Sequence, residues 1–191
     1  QRSTSRNWAG WLPDYLSRYD PDPLRYLLSA NMPETGDADF SWREFVRRNN
    51  DELVATYGNL VHRVLTFTHR RFEGHLPTPG ELDPKSQALL EKSRLILDSV
   101  GELLEGCHFR DSMRAAMALA QESNRYLEET SPWKTIVQDE TAAGNALWVA
   151  VQAINALKTV LYPFLPFSSE RLHGYLGFER PLREMGWAYH V

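Results

Sequence analysis

Asn59 and Arg63 stand four residues apart in a stretch of helical periodicity, so they rise from one face a turn apart. An amide carries donors and an acceptor, and a guanidinium carries five donors in a fixed fork. Together they suit the reading of exposed base edges. Trp133 follows Ser131-Pro132, a cap-and-proline pattern that opens a helix. An indole held on a first turn is a platform for an unstacked base, worth about 1–3 kcal/mol per base. Plainer accounts exist: a solvated face for Asn59 and Arg63, and a core aromatic at a helix start for Trp133. Spacing alone favours the plainer accounts.

Other chemistry is harder to find. His62, His69, His75, His108, His173 and His190 are scattered, and only His62 and His69 share a helix face, seven residues apart. Two surface histidines explain that spacing, and no metal site is expected. No nucleophile elbow places a serine, and neither a phosphate loop nor a dinucleotide fingerprint is present. The acidic pairs Asp51–Glu52, Glu128–Glu129 and Asp139–Glu140 read as solvated helix faces. As an isolated chain, the sequence does not read as a catalyst.

Composition sets the bounds. A chain of 191 residues, 42% hydrophobic and 24% charged, suits one ordinary globular domain with a sizeable core. No apolar run is long enough to span a membrane, and no signal peptide is read at the start. Cys107 is the only cysteine, which excludes an internal disulfide and suits a reducing cytoplasm. A net charge of -4 counts against coating of phosphate backbones, but not against a site that reads a few unstacked bases.

The element that must position Asn59 and Arg63 runs from Ser41 to about Gly74. Ser41 and Glu44 have capping-box spacing, and Phe40 and Phe45 have that of a hydrophobic staple. Leu53, Tyr57, Leu60, Val61, Val64 and Thr68 form one stripe at about 100° per residue. Arg48, Glu52, Asn59, Arg63 and Arg70 fall on the opposite face. Before this helix, Pro13 to Tyr19 reads as a short helix, and Asp22-Pro23 opens another to Asn31. After it, Asp83-Pro84 opens a helix ended by Gly106, with Leu89, Leu90, Leu95, Ile96, Val100, Leu103 and Leu104 as its buried set. Phe109–Glu129, Leu147–Leu161 and a helix capped by Ser168 or Ser169 follow, with a loop through Gly144. The expected fold is an all-α bundle of about five main helices.

Several separated motifs resemble one family. Asp-Pro-Asp-Pro-Leu-Arg-Tyr-Leu-Leu at 20–28, Asp39-Phe40-Ser41-Trp42 and Phe45-Val46-Arg47-Arg48-Asn49-Asn50 look like a linker into a bundle. Gly58-Asn59-Leu60-Val61-His62-Arg63 and Asn124-Arg125-Tyr126 through Ser131-Pro132-Trp133 look like recognition elements. In this order they resemble the carboxy-terminal anticodon-binding domain of the methionyl-tRNA synthetase family, over most of the chain. The resemblance implies the bundle type of class I aminoacyl-tRNA synthetases. It also implies contacts from Asn59, Arg63 and Trp133 to the CAU anticodon of methionine tRNA. Arg48 and Arg70 are held apart as candidate phosphate contacts.

Ser3-Thr4-Ser5-Arg6 looks like the end of that family's Lys-Met-Ser-Lys-Ser loop, with Gln1, Arg2 and Thr4 at the first lysine, methionine and second lysine positions. Gln and Thr cannot offset pyrophosphate charge as lysine would. The expectation is therefore a piece of a longer ATP-dependent methionine-tRNA ligase. Its Rossmann catalytic domain, with a His-Ile-Gly-His-type motif and a zinc-binding insertion, would precede residue 1. On this reading residues 1–40 are loop remnant and linker, 41–176 the anticodon-binding domain and 177–191 a C-terminal extension. The expected partners are methionine tRNA and the parent catalytic domain, in the cytoplasm. The piece alone is expected to be inactive and to hold no cofactor. Two other readings fit the residues: an RNA-binding module without aminoacylation, and a helical protein-interaction scaffold.

Overall fold

The computed structural model describes residues 12–34 and 40–190. Two short helices, α1 (Leu12–Leu16) and α2 (Pro21–Ala30), lead in. A long rod follows, made of α3 (Trp42–Arg48), a π-helical segment (Asn49–Gly58) and α4 (Asn59–Phe72). Its backbone stays right-handed through both junctions, so the three pieces are continuous. Then come α5 (Pro84–Glu105), α6 (Phe109–Thr130), the single turn α7 (Pro132–Thr135), α8 (Glu140–Val160), α9 (Pro166–Tyr175) and α10 (Leu182–Met185). The rod, α5, α6, α8 and α9 are the five main helices, and no strand occurs among the described residues.

The core sits around α8. From Ala146 to Leu161 nearly every residue is buried, as expected of a helix apolar on all sides. It packs against α4, α5, α6, α7 and α9. The rod contributes Tyr57, Leu60, Val64 and Thr68 from the predicted stripe, all buried, while Leu53 and Val61 lie at its margin.

Several boundaries differ from the sequence reading, each for a local reason. The α2 cap is Asp20-Pro21, not Asp22-Pro23. Asp22 is instead 2% exposed, and its carboxylate accepts the backbone N–H groups of Phe167 (3.4 Å) and Ser168 (2.7 Å). It therefore satisfies the start of α9 from across the bundle. Neither Ser168 nor Ser169 caps that helix, which begins at Pro166. The last long helix begins at Glu140, with Asp139 capping Ala142, so Gly144 lies inside it. There a Cβ would lie 2.7 Å from Pro77 Cγ, and glycine is what lets the α4–α5 connection cross so closely. Asn145, beside it, holds that connection by accepting from Gly80 N–H (2.9 Å) and donating to Glu81 O (3.1 Å). Leu95 is exposed, and Leu97 is buried in its place. The Asp83-Pro84 start and the Gly106 end of α5 stand as expected, with Asp83 accepting from Lys85 and Ser86 N–H.

The C-terminal stretch folds back on the bundle. Glu170 accepts the N–H groups of Leu182 and Arg183. Trp187 Nε1 donates to Leu97 O at 3.1 Å, and Tyr189 OH donates to Gln152. Asn155 donates to His190 O.

Candidate nucleic-acid interface

At the start of the rod the Ser41 half of the expected capping box forms, while the Glu44 carboxylate turns to Arg47. Ser41 Oγ accepts the Glu44 N–H at 3.4 Å, and Phe40, Trp42 and Phe45 form an edge-to-face chain of rings. The π segment is a departure. With bonds from i to i+5, the chain turns less per residue than an α-helix, so phase drifts across these ten residues. The polar face expected from Arg48 to Arg70 crosses this segment. Arg48 and Glu52 line a cleft of about 560 Å³ together with Arg110 and Arg114 of α6. Asn59 and Arg63 begin afresh on α4, beyond Gly58.

Arg63 and Trp133 meet. The guanidinium carbon lies 4.3 Å from the indole centroid, a cation–π stack. The same guanidinium pairs with Glu128 of α6 at 2.8 Å. Glu128 had read as part of a solvated face; the structure gives it this partner, and gives Glu129 the ammonium of Lys85 at 2.7 Å. Nothing in the local sequence marks Glu128, because its partner comes from another helix. Asn59, one turn before Arg63, is exposed, and its side chain makes no hydrogen bond among the described residues. Arg63 and Trp133 are thus brought together from two helices distant in sequence, with Asn59 one turn before Arg63.

Trp133 is set by its turn, though not by a serine cap. Ser131 is left-handed (φ 41°), which ends α6, and its hydroxyl donates back to Glu128 O at 2.7 Å. Thr135 likewise donates to Thr130 O. Pro132 is buried, and Trp133 is half-buried, with one side of its body against the core. The ring is neither wholly core nor freely presented.

Arg48 and Arg70 lie apart from this trio. Arg48 Nη1 is 3.1 Å from Glu52, and its Nε sits 2.8 Å from Glu44 without pointing its N–H at it. Glu44 also binds Arg47 at 2.8 Å, and that hydrogen bond holds its carboxyl down at about 2. Arg70 is exposed at the rim of an apolar groove of about 850 Å³ beside His62 and His69. Ser3, Thr4 and Ser5, the expected loop remnant, lie outside the described residues, as do Gln1 and Arg2. Among the described residues no three His, Cys, Asp or Glu side chains stand together as metal ligands, and no helix is long and apolar enough to cross a membrane.

The bundle is the anticodon-binding type of class I aminoacyl-tRNA synthetases. Two solved structures of Mycobacterium tuberculosis methionyl-tRNA synthetase share the fold. The methionyl-adenylate complex superposes with a TM-score of 0.80 at 23% identity, over 86% of this chain and 34% of that one. The apo form gives 0.77 at 22%, over 82% and 34%. Residues 1–65 match the family model described as tRNA synthetases class I (M), and residues 76–188 match the anticodon binding domain of methionyl tRNA ligase. The chain belongs to that methionyl-tRNA ligase family. It is 57% identical over 185 residues to a methionine–tRNA ligase of Dehalococcoides mccartyi, covering 97% of this chain and 34% of that protein. It is 53% identical over 178 residues to that of Thermomicrobium roseum, covering 93% and 30%. The chain thus spans about a third of the length of these relatives.

Proposed function

We propose that this chain binds the CAU anticodon of methionine tRNA as one part of an ATP-dependent methionine–tRNA ligase of the cytoplasm. The observation that carries this reading is the stack of Arg63 on Trp133 with Asn59 one turn away. A base takes its place on the indole, and Arg63 and Asn59 supply directed hydrogen bonds to base edges. Glu128 holds the guanidinium in place until a base competes for it.

Arg70, exposed and on the same helix, suits a phosphate contact; the two carboxylates beside Arg48 weigh against that role for Arg48. Residues 41–176 form the binding unit on this reading, with 1–40 and 177–191 flanking it. ATP and zinc belong to the catalytic region of the parent. Among the described residues no three His, Cys, Asp or Glu side chains are placed to hold the zinc.

Binding of a CAU stem-loop and of a stem-loop with a changed anticodon tests the site. Trp133→Ala should weaken CAU binding by about 1–3 kcal/mol. Arg63→Ala should weaken the CAU loop more than the changed one, whereas Arg70→Ala should weaken both alike and reduce the salt dependence. Equal loss on both loops for Arg63→Ala would make it a backbone contact and overturn direct readout. Normal CAU binding by folded Trp133→Ala would place the stacking site elsewhere. Retained RNA binding without aminoacylation by the parent would leave a binding module, and no RNA binding at all would leave a scaffold.

A further inference from the structure

We propose that Asn124 is a positioning residue that fixes where Asn59 stands relative to Trp133; the inference rests on the anticodon reading above. Asn124 lies on α6, one turn before Glu128. Its Nδ2 donates to Ala120 O in its own helix (3.2 Å) and to Thr56 O in the π segment (3.0 Å). The backbone N–H of Asn59 is shared between Thr56 O and Val54 O. The amide of Asn124 and the backbone of a proposed reading residue therefore converge on one carbonyl.

Both donors of Asn124 are used, while its Oδ1 is buried without a partner. A side chain chosen for packing alone would not leave a buried acceptor unpaired, because that costs stability. Two donors aimed at two helices are what the position requires. One turn on, Glu128 grips Arg63. Successive turns of α6 thus hold the Thr56 carbonyl beneath Asn59 and the guanidinium of Arg63, and the same helix leads into Trp133.

The junction is tight on the other side as well. A Cβ on Gly58 would lie 2.9 Å from Leu53 O, so the wide helix returns to α geometry at a residue with no side chain to fit. The π segment gives Asn59 its azimuth, Gly58 closes that segment, and Asn124 ties it to the helix leading to the tryptophan.

The test uses the full chain and two RNA stem-loops, one with CAU and one with a single changed anticodon base. Asn124→Leu keeps the branching and heavy-atom count, with bulkier methyl groups, and removes both the donors and the unpaired oxygen. The ratio of the two dissociation constants should fall by up to about tenfold, as expected for the loss of one directed hydrogen bond to a base edge. Asn145→Leu breaks a comparable amide bridge away from the trio; it should lower the melting temperature and leave the ratio alone. An unchanged ratio in folded Asn124→Leu would make Asn124 a structural residue only and overturn the inference. Where Asn124→Leu does not fold, Gly58→Ala, which pushes on the same segment, should lower the ratio, and an unchanged ratio there overturns the inference equally. A wild-type chain with no preference for CAU would overturn the site reading itself, and this inference with it.

Discussion

Glu128 and Trp133 engage Arg63 at once: one carboxylate oxygen lies 2.8 Å from Nη2, and the indole face lies 4.3 Å from Cζ. Glu128 is largely exposed, with 65% of its side-chain surface open. The pair therefore contributes little to stability, as surface ion pairs do. Its effect is on Arg63, which must trade a carboxylate for a base edge. Glu128→Gln should leave the melting temperature within the error of a surface substitution. It should tighten binding of the CAU loop by about two- to five-fold, the worth of one exposed ion pair, and of the changed-anticodon loop by less. Titrations at low and high salt check this, because the gain should shrink as salt rises. A weaker CAU complex would mean that Glu128 orients Arg63 productively instead of competing for it.

Leu60 is fully buried, one residue after Asn59. Leu60→Ala should cost about 2–5 kcal/mol by removing apolar contacts and leaving a cavity. Denaturant unfolding measures it. A loss under half a kilocalorie would mean that α4 turns a different face to the core, and Asn59 and Arg63 with it.

Asp22 closes the first turn of α9 from α2, so a residue near the start of the described chain completes a helix near its end. Asp22→Ala should cost about 1–2 kcal/mol, the range for a lost helix cap. Amide exchange at Phe167 and Ser168 should quicken more than at the middle of α9. Unchanged exchange there would show that the two N–H groups find other partners.

The sequence made local periodicity legible and left cross-bundle chemistry hidden. The stripe from Tyr57 to Thr68, the Asp83 cap and the joining of Arg63 with Trp133 all follow from spacing or from the family motifs. What failed did so wherever a partner came from elsewhere. Asp22 looked like a local cap because nothing in the stretch around it points to α9. Gly144 looked like a loop glycine because Pro77, the atom group it admits, is far away in sequence. The π segment was invisible because its composition, Asn49 to Gly58, keeps an α-like pattern of apolar residues while the backbone bonds run one residue longer.

Lys158 carries the prediction with the clearest pH signature. It is 0% exposed on α8, its Nζ bonds only to Asn155 Oδ1 and O, and Phe178 covers it at 4.6 Å. Among the described residues no carboxylate pairs with it, and His173 and His190 stand nearby on α9 and the C-terminal stretch. Burial pushes its pKa down to about 8, against an ordinary 10.5. Between these values the unfolded chain binds more protons than the folded one, so stability rises with pH across that window. Below about pH 8 both states are charged, and the full penalty of a buried ammonium remains. Lys158→Met, similar in volume and uncharged, should therefore stabilise the fold by about 1–4 kcal/mol at pH 7. The advantage of the variant should shrink as pH climbs from about 8 towards 10.5, because only the wild type gains there. Urea melts of both proteins at pH 7, 8.5 and 9.5 check it. A difference that stays constant with pH would mean that Lys158 does not titrate in the folded state over this range, and that Asn155 and Phe178 satisfy its charge.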